Sequence, residues 1–106
     1  MSVDEIVDVC AVEDLPPGSV RVVVHGDVSI AIFNADGDLH AIEDRCTHDD
    51  GTLAEGDFDP DSCVIACPRH GAEFDVRSGQ ALTLPAYLPV DTFDVEVVDG
   101  RVLLKP

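Results

Sequence analysis

Two short runs hold the side chains best suited to binding metal. Cys46-Thr47-His48 and Cys67-Pro68-Arg69-His70 each supply one thiol and one imidazole, and residues 49–66 separate them. In an extended backbone, residues two apart share a face, so Cys46 and His48 can point the same way. Two such loops facing each other make a four-point site of two thiolates and two imidazoles. Tetrahedral zinc accepts that set, and so does a two-iron, two-sulfide cluster with unequal ligands. Ligand types alone do not choose between them.

A site of this kind needs a rigid frame, and the chain predicts one made of short strands. Val20 to His25 and Val28 to Phe33 are apolar and rich in β-branched residues, with Gly26-Asp27 between them, which is a hairpin pattern. Asn34-Ala35-Asp36-Gly37-Asp38 predicts a second turn, followed by a strand near Leu39 to Glu43. Cys63 to Cys67 and Ala72 to Val76 predict another strand pair. Phe93 to Val98 and Arg101 to Leu104 flank a turn at Asp99-Gly100. Leu15-Pro16-Pro17-Gly18 and Leu84-Pro85-Ala86 break the pattern, and no segment holds a helical period for ten residues. The expected fold is all-β, a small antiparallel sandwich or barrel. The expected organisation is one domain over residues 1–106, with an inserted ligand-carrying subdomain at about 45–80.

Length and charge narrow the functions further. A chain of 106 residues buries roughly 60–65% of the surface its unfolded form exposes, leaving little room for a deep substrate cavity. Against 22 acidic residues stand 6 basic ones, for a formal charge of −16. Nucleic acids and anionic membranes need Lys and Arg to neutralise phosphate, so both are disfavoured as partners. Glu43, Asp44, Asp49, Asp50, Glu55, Asp57, Asp59 and Asp61 crowd the stretch around the first motif, with Arg45 their sole basic companion. Such a cluster serves solubility, and it can also steer a basic partner toward the site. The first residues show no basic region followed by an apolar run, and no stretch has the length of a membrane span, so a cytoplasmic location is expected. Four cysteines in that setting read as thiols or metal ligands rather than disulfides.

The residues around the ligands separate the two metal readings. The first motif continues as Asp49-Asp50-Gly51-Thr52-Leu53-Ala54-Glu55-Gly56. The second continues as Gly71-Ala72-Glu73-Phe74-Asp75, with Ser78-Gly79 beyond. In both half-motifs, in their separation and across nearly its whole length, the chain resembles the Rieske ferredoxins that serve bacterial aromatic-ring dioxygenases. That resemblance implies one [2Fe–2S] cluster, with Cys46 and Cys67 on the inner iron and His48 and His70 on the outer iron near solvent. It maps the family's Pro-containing third loop to Pro85. It also implies a one-electron carrier, not an enzyme in its own right, working between a flavin-dependent reductase and a terminal Rieske non-haem iron oxygenase. A monomer is expected.

The same resemblance shows what is missing. Respiratory Rieske proteins bridge their two cluster loops with a disulfide, and the matching positions here are Gly51 and Arg69. They also donate hydroxyl hydrogen bonds to the sulfurs from a Ser and a Tyr, where this chain has Ala72 and Phe74. If each bond favours the reduced form by about 1.5–3 kcal/mol, each loss lowers the potential by roughly 60–130 mV. A potential near the low end of the Rieske range, about −150 mV, is expected.

The remaining candidates have plainer readings. Cys10 and Cys63 lack partners at ligand spacing, and Cys63 is expected as a buried thiol in a strand. His25 and His40 are expected in ordinary structural or surface roles. Leu53, Phe58 and Phe74 are core residues or a cover for the cluster. Two competing functions share the ligand set. One is a redox sensor, or an accessory subunit in iron–sulfur assembly or another reductase complex. The other is a structural zinc module.

Overall fold

The computed structural model describes residues 6–47, 51–69, 71–84, 86 and 88–106. Among the described residues nine strands run in chain order: β1 Val7–Ala11, β2 Val20–His25, β3 Val28–Ala35, β4 Asp38–Glu43, β5 Asp57–Asp59, β6 Val64–Ala66, β7 Glu73–Asp75, β8 Thr92–Val98 and β9 Arg101–Lys105. Single 3-10 turns lie at Val12–Asp14 and Leu53–Glu55. The strands form two antiparallel sheets, one of six in the order β1-β9-β8-β4-β3-β2 and one of three in the order β5-β6-β7. The all-β architecture expected from sequence is the one observed.

The six-stranded sheet curls into a nearly closed barrel, because every strand sends apolar side chains to one interior. Cys10, Ile30, Ile32, Ala41, Val102 and Leu104 are buried there, with Val7, Val23 and Phe93 packed against them. Two of its hairpins turn on Asp36-Gly37 and Asp99-Gly100, where both residues adopt positive φ. That backbone twist matches the twist of the flanking strands. The Asn34 amide fastens the chain between β1 and β2. It donates to the Leu15 carbonyl at 2.7 Å, and its oxygen accepts from the Gly37 amide at 2.7 Å.

The three-stranded sheet is inserted between β4 and β8, which pair with each other. Phe58, Ile65 and Phe74 stand side by side on its inner face, as the strand registers require. They pack against Phe33 of the barrel, the Phe33 and Phe58 rings lying 4.8 Å apart between centroids. β3 therefore separates two cores. Strand alternation sends Ile30 and Ile32 into the barrel and Ala31 and Phe33 toward the inserted sheet. This explains why β3 reads as an unbroken apolar run: it is covered on both faces, as strands in the middle of a layered fold are.

Several boundaries differ from those expected. β3 continues through Asn34 and Ala35, so the turn shrinks to Asp36-Gly37. Cys63 is not a buried strand residue. It ends the loop Pro60-Asp61-Ser62-Cys63 at φ +60°, half-buried, with its sulfur 3.9 Å from the Pro60 carbonyl. The hairpin between β5 and β6 needs a left-handed residue at that point, and Cys63 takes the position. Pro85 lies outside the described residues.

A bidentate ion pair braces the turn after β7. Arg77 Nε and Nη2 donate to the Asp75 carboxylate at 3.2 and 3.0 Å, and the Arg77 amide adds a third bond at 2.8 Å. The guanidinium holds the Asp75 carboxyl below its ordinary pKa. A depressed carboxylate contributes stability above its unfolded pKa and loses it as the pH falls through the folded value. Arg77→Ala should therefore be less stable than the parent at neutral pH and unfold at a higher pH in an acid titration followed by circular dichroism, the difference narrowing as the carboxyl protonates. Equal acid midpoints would remove this role from the pair.

Candidate metal centre

Cys46 and Cys67 occupy equivalent places. Each begins a six-residue loop in which its own amide donates to the carbonyl five positions on, Cys46 to Gly51 at 2.7 Å and Cys67 to Ala72 at 2.7 Å. In the second loop the Gly71 amide also returns to the Cys67 carbonyl at 3.0 Å, with Gly71 at φ +74°. The strands set these loops in place. Cys67 follows β6 and the loop ends at β7, while Cys46 follows β4 and its loop leads to the 3-10 turn that precedes β5.

Both cysteines are almost fully buried, at 1% and 2% exposure, and they belong to one apolar cluster with Leu53, Ile65, Ala72, Phe74 and Val76. No disulfide joins any of the four cysteines. Two thiols held at the bases of matched loops, within a shared dry core, suit a metal group that takes sulfur on its inner side. Ala72 and Phe74 are fully buried in that core and carry no hydroxyl. Leu53 is fully buried there and Phe58 is partly buried against it, so both pack on the cysteine core.

His48 and His70 fall outside the described residues. Among the described residues, no group of three or more His, Cys, Asp or Glu side chains is placed to hold a metal ion. His25 ends β2 opposite Val28, and His40 lies in β4 opposite Phe33.

Three further contacts, which sequence reasoning did not find, fix the loops. The Thr47 hydroxyl donates to the Leu88 carbonyl at 2.7 Å, tying Leu88 to the residue after Cys46. Gly56 lies so close to the second loop that a Cβ there would overlap the Ala66 carbonyl oxygen and meet Pro68 Cδ at 3.2 Å. The Asp44 carboxylate, 6% exposed, accepts the Ala54 amide at 2.7 Å. Gly56 lies in the stretch that follows the first motif, but nothing local shows which residue it approaches, since that contact spans two strands.

These features define a small β-barrel protein with an inserted sheet and two buried cysteines at the bases of matched loops. Residues 5–94 match the Rieske [2Fe-2S] domain family. The chain is 42% identical over 96 residues to the 3-phenylpropionate/cinnamic acid dioxygenase ferredoxin subunit of Photorhabdus laumondii, covering 91% of this chain and 90% of the relative. It is 40% identical to ferredoxin CarAc of Metapseudomonas resinovorans over 89% of this chain and 87% of that one. Its fold matches the ferredoxin of carbazole 1,9a-dioxygenase from Nocardioides aromaticivorans IC177 with a TM-score of 0.91 and 32% identity, covering 95% and 97% of the two chains. A chain in a solved complex of reduced oxygenase and oxidized ferredoxin of carbazole 1,9a-dioxygenase matches with a TM-score of 0.89 and 37% identity, covering 94% and 92%. This chain belongs to the Rieske [2Fe-2S] domain family, and its cofactor is one [2Fe–2S] cluster. No helix among the described residues is long and apolar enough to cross a membrane.

Proposed function

We propose that this protein is a one-electron carrier that accepts electrons from a flavin-dependent reductase and delivers them to a terminal Rieske non-haem iron oxygenase. Cys46 and Cys67 hold the inner iron of the cluster, and His48 and His70 hold the outer one. The observation that carries this reading is the pair of matched loops with buried cysteines at their bases. In sequence an imidazole follows two residues after Cys46 and three after Cys67. The comparison with ferredoxin subunits and with a ferredoxin–oxygenase complex supports the partner class. When bound, the cluster supplies reversible one-electron chemistry. The chain's own residues bury the two cysteines and fix the loop spacing, and eight acids fall between Glu43 and Asp61 in sequence. The work is done as one domain over residues 1–106, in the cytoplasm, as a monomer.

The test is to mix purified holoprotein with reductases and oxygenases encoded in the same genome and to follow cluster absorbance by stopped flow. Reduction by one reductase and reoxidation by one oxygenase are expected. A holoprotein that exchanges electrons with neither class overturns the proposal. With −16 formal charges, attraction to basic partners should weaken as salt shortens the screening length from about 30 Å at 0.01 M to about 8 Å at 0.15 M. The second-order reduction rate should therefore fall across that range. A flat dependence would show that the acids do not steer.

Potentiometric titration is expected to give about −150 mV, the lower end of the Rieske range. The fully buried, hydroxyl-free Ala72 and Phe74 in the cysteine core support that value. A potential above about +100 mV would contradict it.

A further inference from the structure

A buried carboxylate beside the first cysteine loop has no part in the chemistry described so far. Asp44 is two residues before Cys46, and its side chain is 6% exposed. A buried carboxylate is costly unless hydrogen bonds satisfy it, so its place in this core needs a reason. Its backbone amide donates to the Ser29 carbonyl of β3 at 2.8 Å, which anchors it to the barrel. Its Oδ1 accepts the amide of Ala54, in the 3-10 turn just beyond the first loop, at 2.7 Å. Two hydrogen bonds thus tie the chain at and before Cys46 to the chain after it. The inner closure is Cys46 N–H to Gly51 O, and the outer one is Ala54 N–H to Asp44 Oδ1.

We propose that Asp44 is a positioning residue for the cluster: its carboxylate oxygen closes the first ligand loop from the barrel side by holding Ala54. The inference rests on Cys46 being a cluster ligand, as proposed above. Without this acceptor the part-buried Ala54 amide would lose its partner, and the segment from Thr52 to Gly56 would keep Leu53 in the core but lose its tie to the residue two before Cys46. The loop would then open at its far end, and the iron on Cys46 would be exposed to competing ligands. The acceptor oxygen is what matters, so an amide in the same shape can substitute for the carboxylate.

The experiment compares holoproteins of Asp44→Ala, Asp44→Asn and, as a control, Asn34→Ala. Asn34 is another buried polar brace, but its bonds run to Leu15 and Gly37. Cluster loss to excess iron chelator is followed by absorbance, and the reduced cluster by its EPR g values. Asp44→Ala is expected to lose its cluster at least about tenfold faster and to shift the g values, tenfold being 1.4 kcal/mol. Asp44→Asn should stay within about twofold of the parent, within the spread of single hydrogen-bond effects. Asn34→Ala should keep the parent's g values even if it unfolds more easily. An Asp44→Ala protein that takes up no cluster, beside a normally loaded Asp44→Asn protein, gives the same support. Parent-like release and g values in Asp44→Ala overturn the inference. So does equal impairment of Asp44→Ala and Asp44→Asn, which would place the effect in charge or packing. A Cys46→Ser protein that keeps its cluster would overturn the ligand assignment instead, and the two failures are distinct.

Discussion

Gly56→Ala should drive the two cysteine loops apart and weaken both the fold and its hold on the cluster. Gly56 has φ −86° and ψ −171°, extended backbone that alanine adopts without strain. Its glycine is required by space alone. An added methyl group would overlap the Ala66 carbonyl oxygen, which belongs to β6 one residue before Cys67. That oxygen is backbone, so relief requires a shift of the strand itself. Overpacking of this kind costs about 1–3 kcal/mol, and each kcal/mol lowers the midpoint of a domain this size by about 4–8 °C. The holoprotein's melting curve and its rate of cluster loss to chelator would both be measured. Gly100→Ala is the informative partner. There φ is +76° and nothing lies within 4 Å of an added Cβ, so alanine is strained in the hairpin turn without touching the loops. It should lower the melting midpoint and leave cluster retention as in the parent. Parent-like melting and retention in Gly56→Ala would show that the close approach does not hold the loops in register.

Cys67→Ser should abolish cluster incorporation almost completely, whereas Cys63→Ser should load normally. The two residues are four apart, yet the fold treats them differently. Cys67 is 2% exposed and heads a closed loop in the cysteine core, while Cys63 is half-buried in a hairpin turn with its sulfur toward Pro60. Replacing a thiolate ligand by a hydroxyl removes a soft donor. It also removes part of the binding energy that ties the inserted loops to the barrel, since metal affinity of this kind is folding energy. Iron and sulfide content per chain, with the absorbance spectrum, would be measured on anaerobically purified protein. A fully loaded Cys67→Ser variant would refute the ligand assignment, and an empty Cys63→Ser variant would move it.

The long hairpins were legible in the sequence because local patterns determine them. Val20–His25 and Val28–Ala35 pair around a Gly-Asp turn, and Thr92–Val98 and Arg101–Lys105 pair around Asp99-Gly100. The pairing of β6 with β7 was also legible from the two apolar stretches on either side of the second motif. Two strands were not. β5 is only Asp57-Phe58-Asp59, a composition with low strand propensity that becomes a strand because β6 lies beside it. β1 pairs with β9 across nearly the whole chain, and no local pattern specifies such a distant partner. Cys46 and Cys67 stood out by the spacing of their motifs, but their burial in one core could not be read there. The close approach of Gly56 and the brace from Asp44 were hidden because each depends on a contact between segments that the sequence does not order in space.

β3 acts as a party wall. Ile30 and Ile32 face one room and Ala31 and Phe33 the other, so loosening either core disturbs a strand that the other also needs. Iron bound among the inserted loops should then protect amides deep in the barrel from deuterium exchange, including those of strands that never approach the cysteines. Damage to the barrel should likewise release iron, and cells would lose carrier function through lesions far from any ligand.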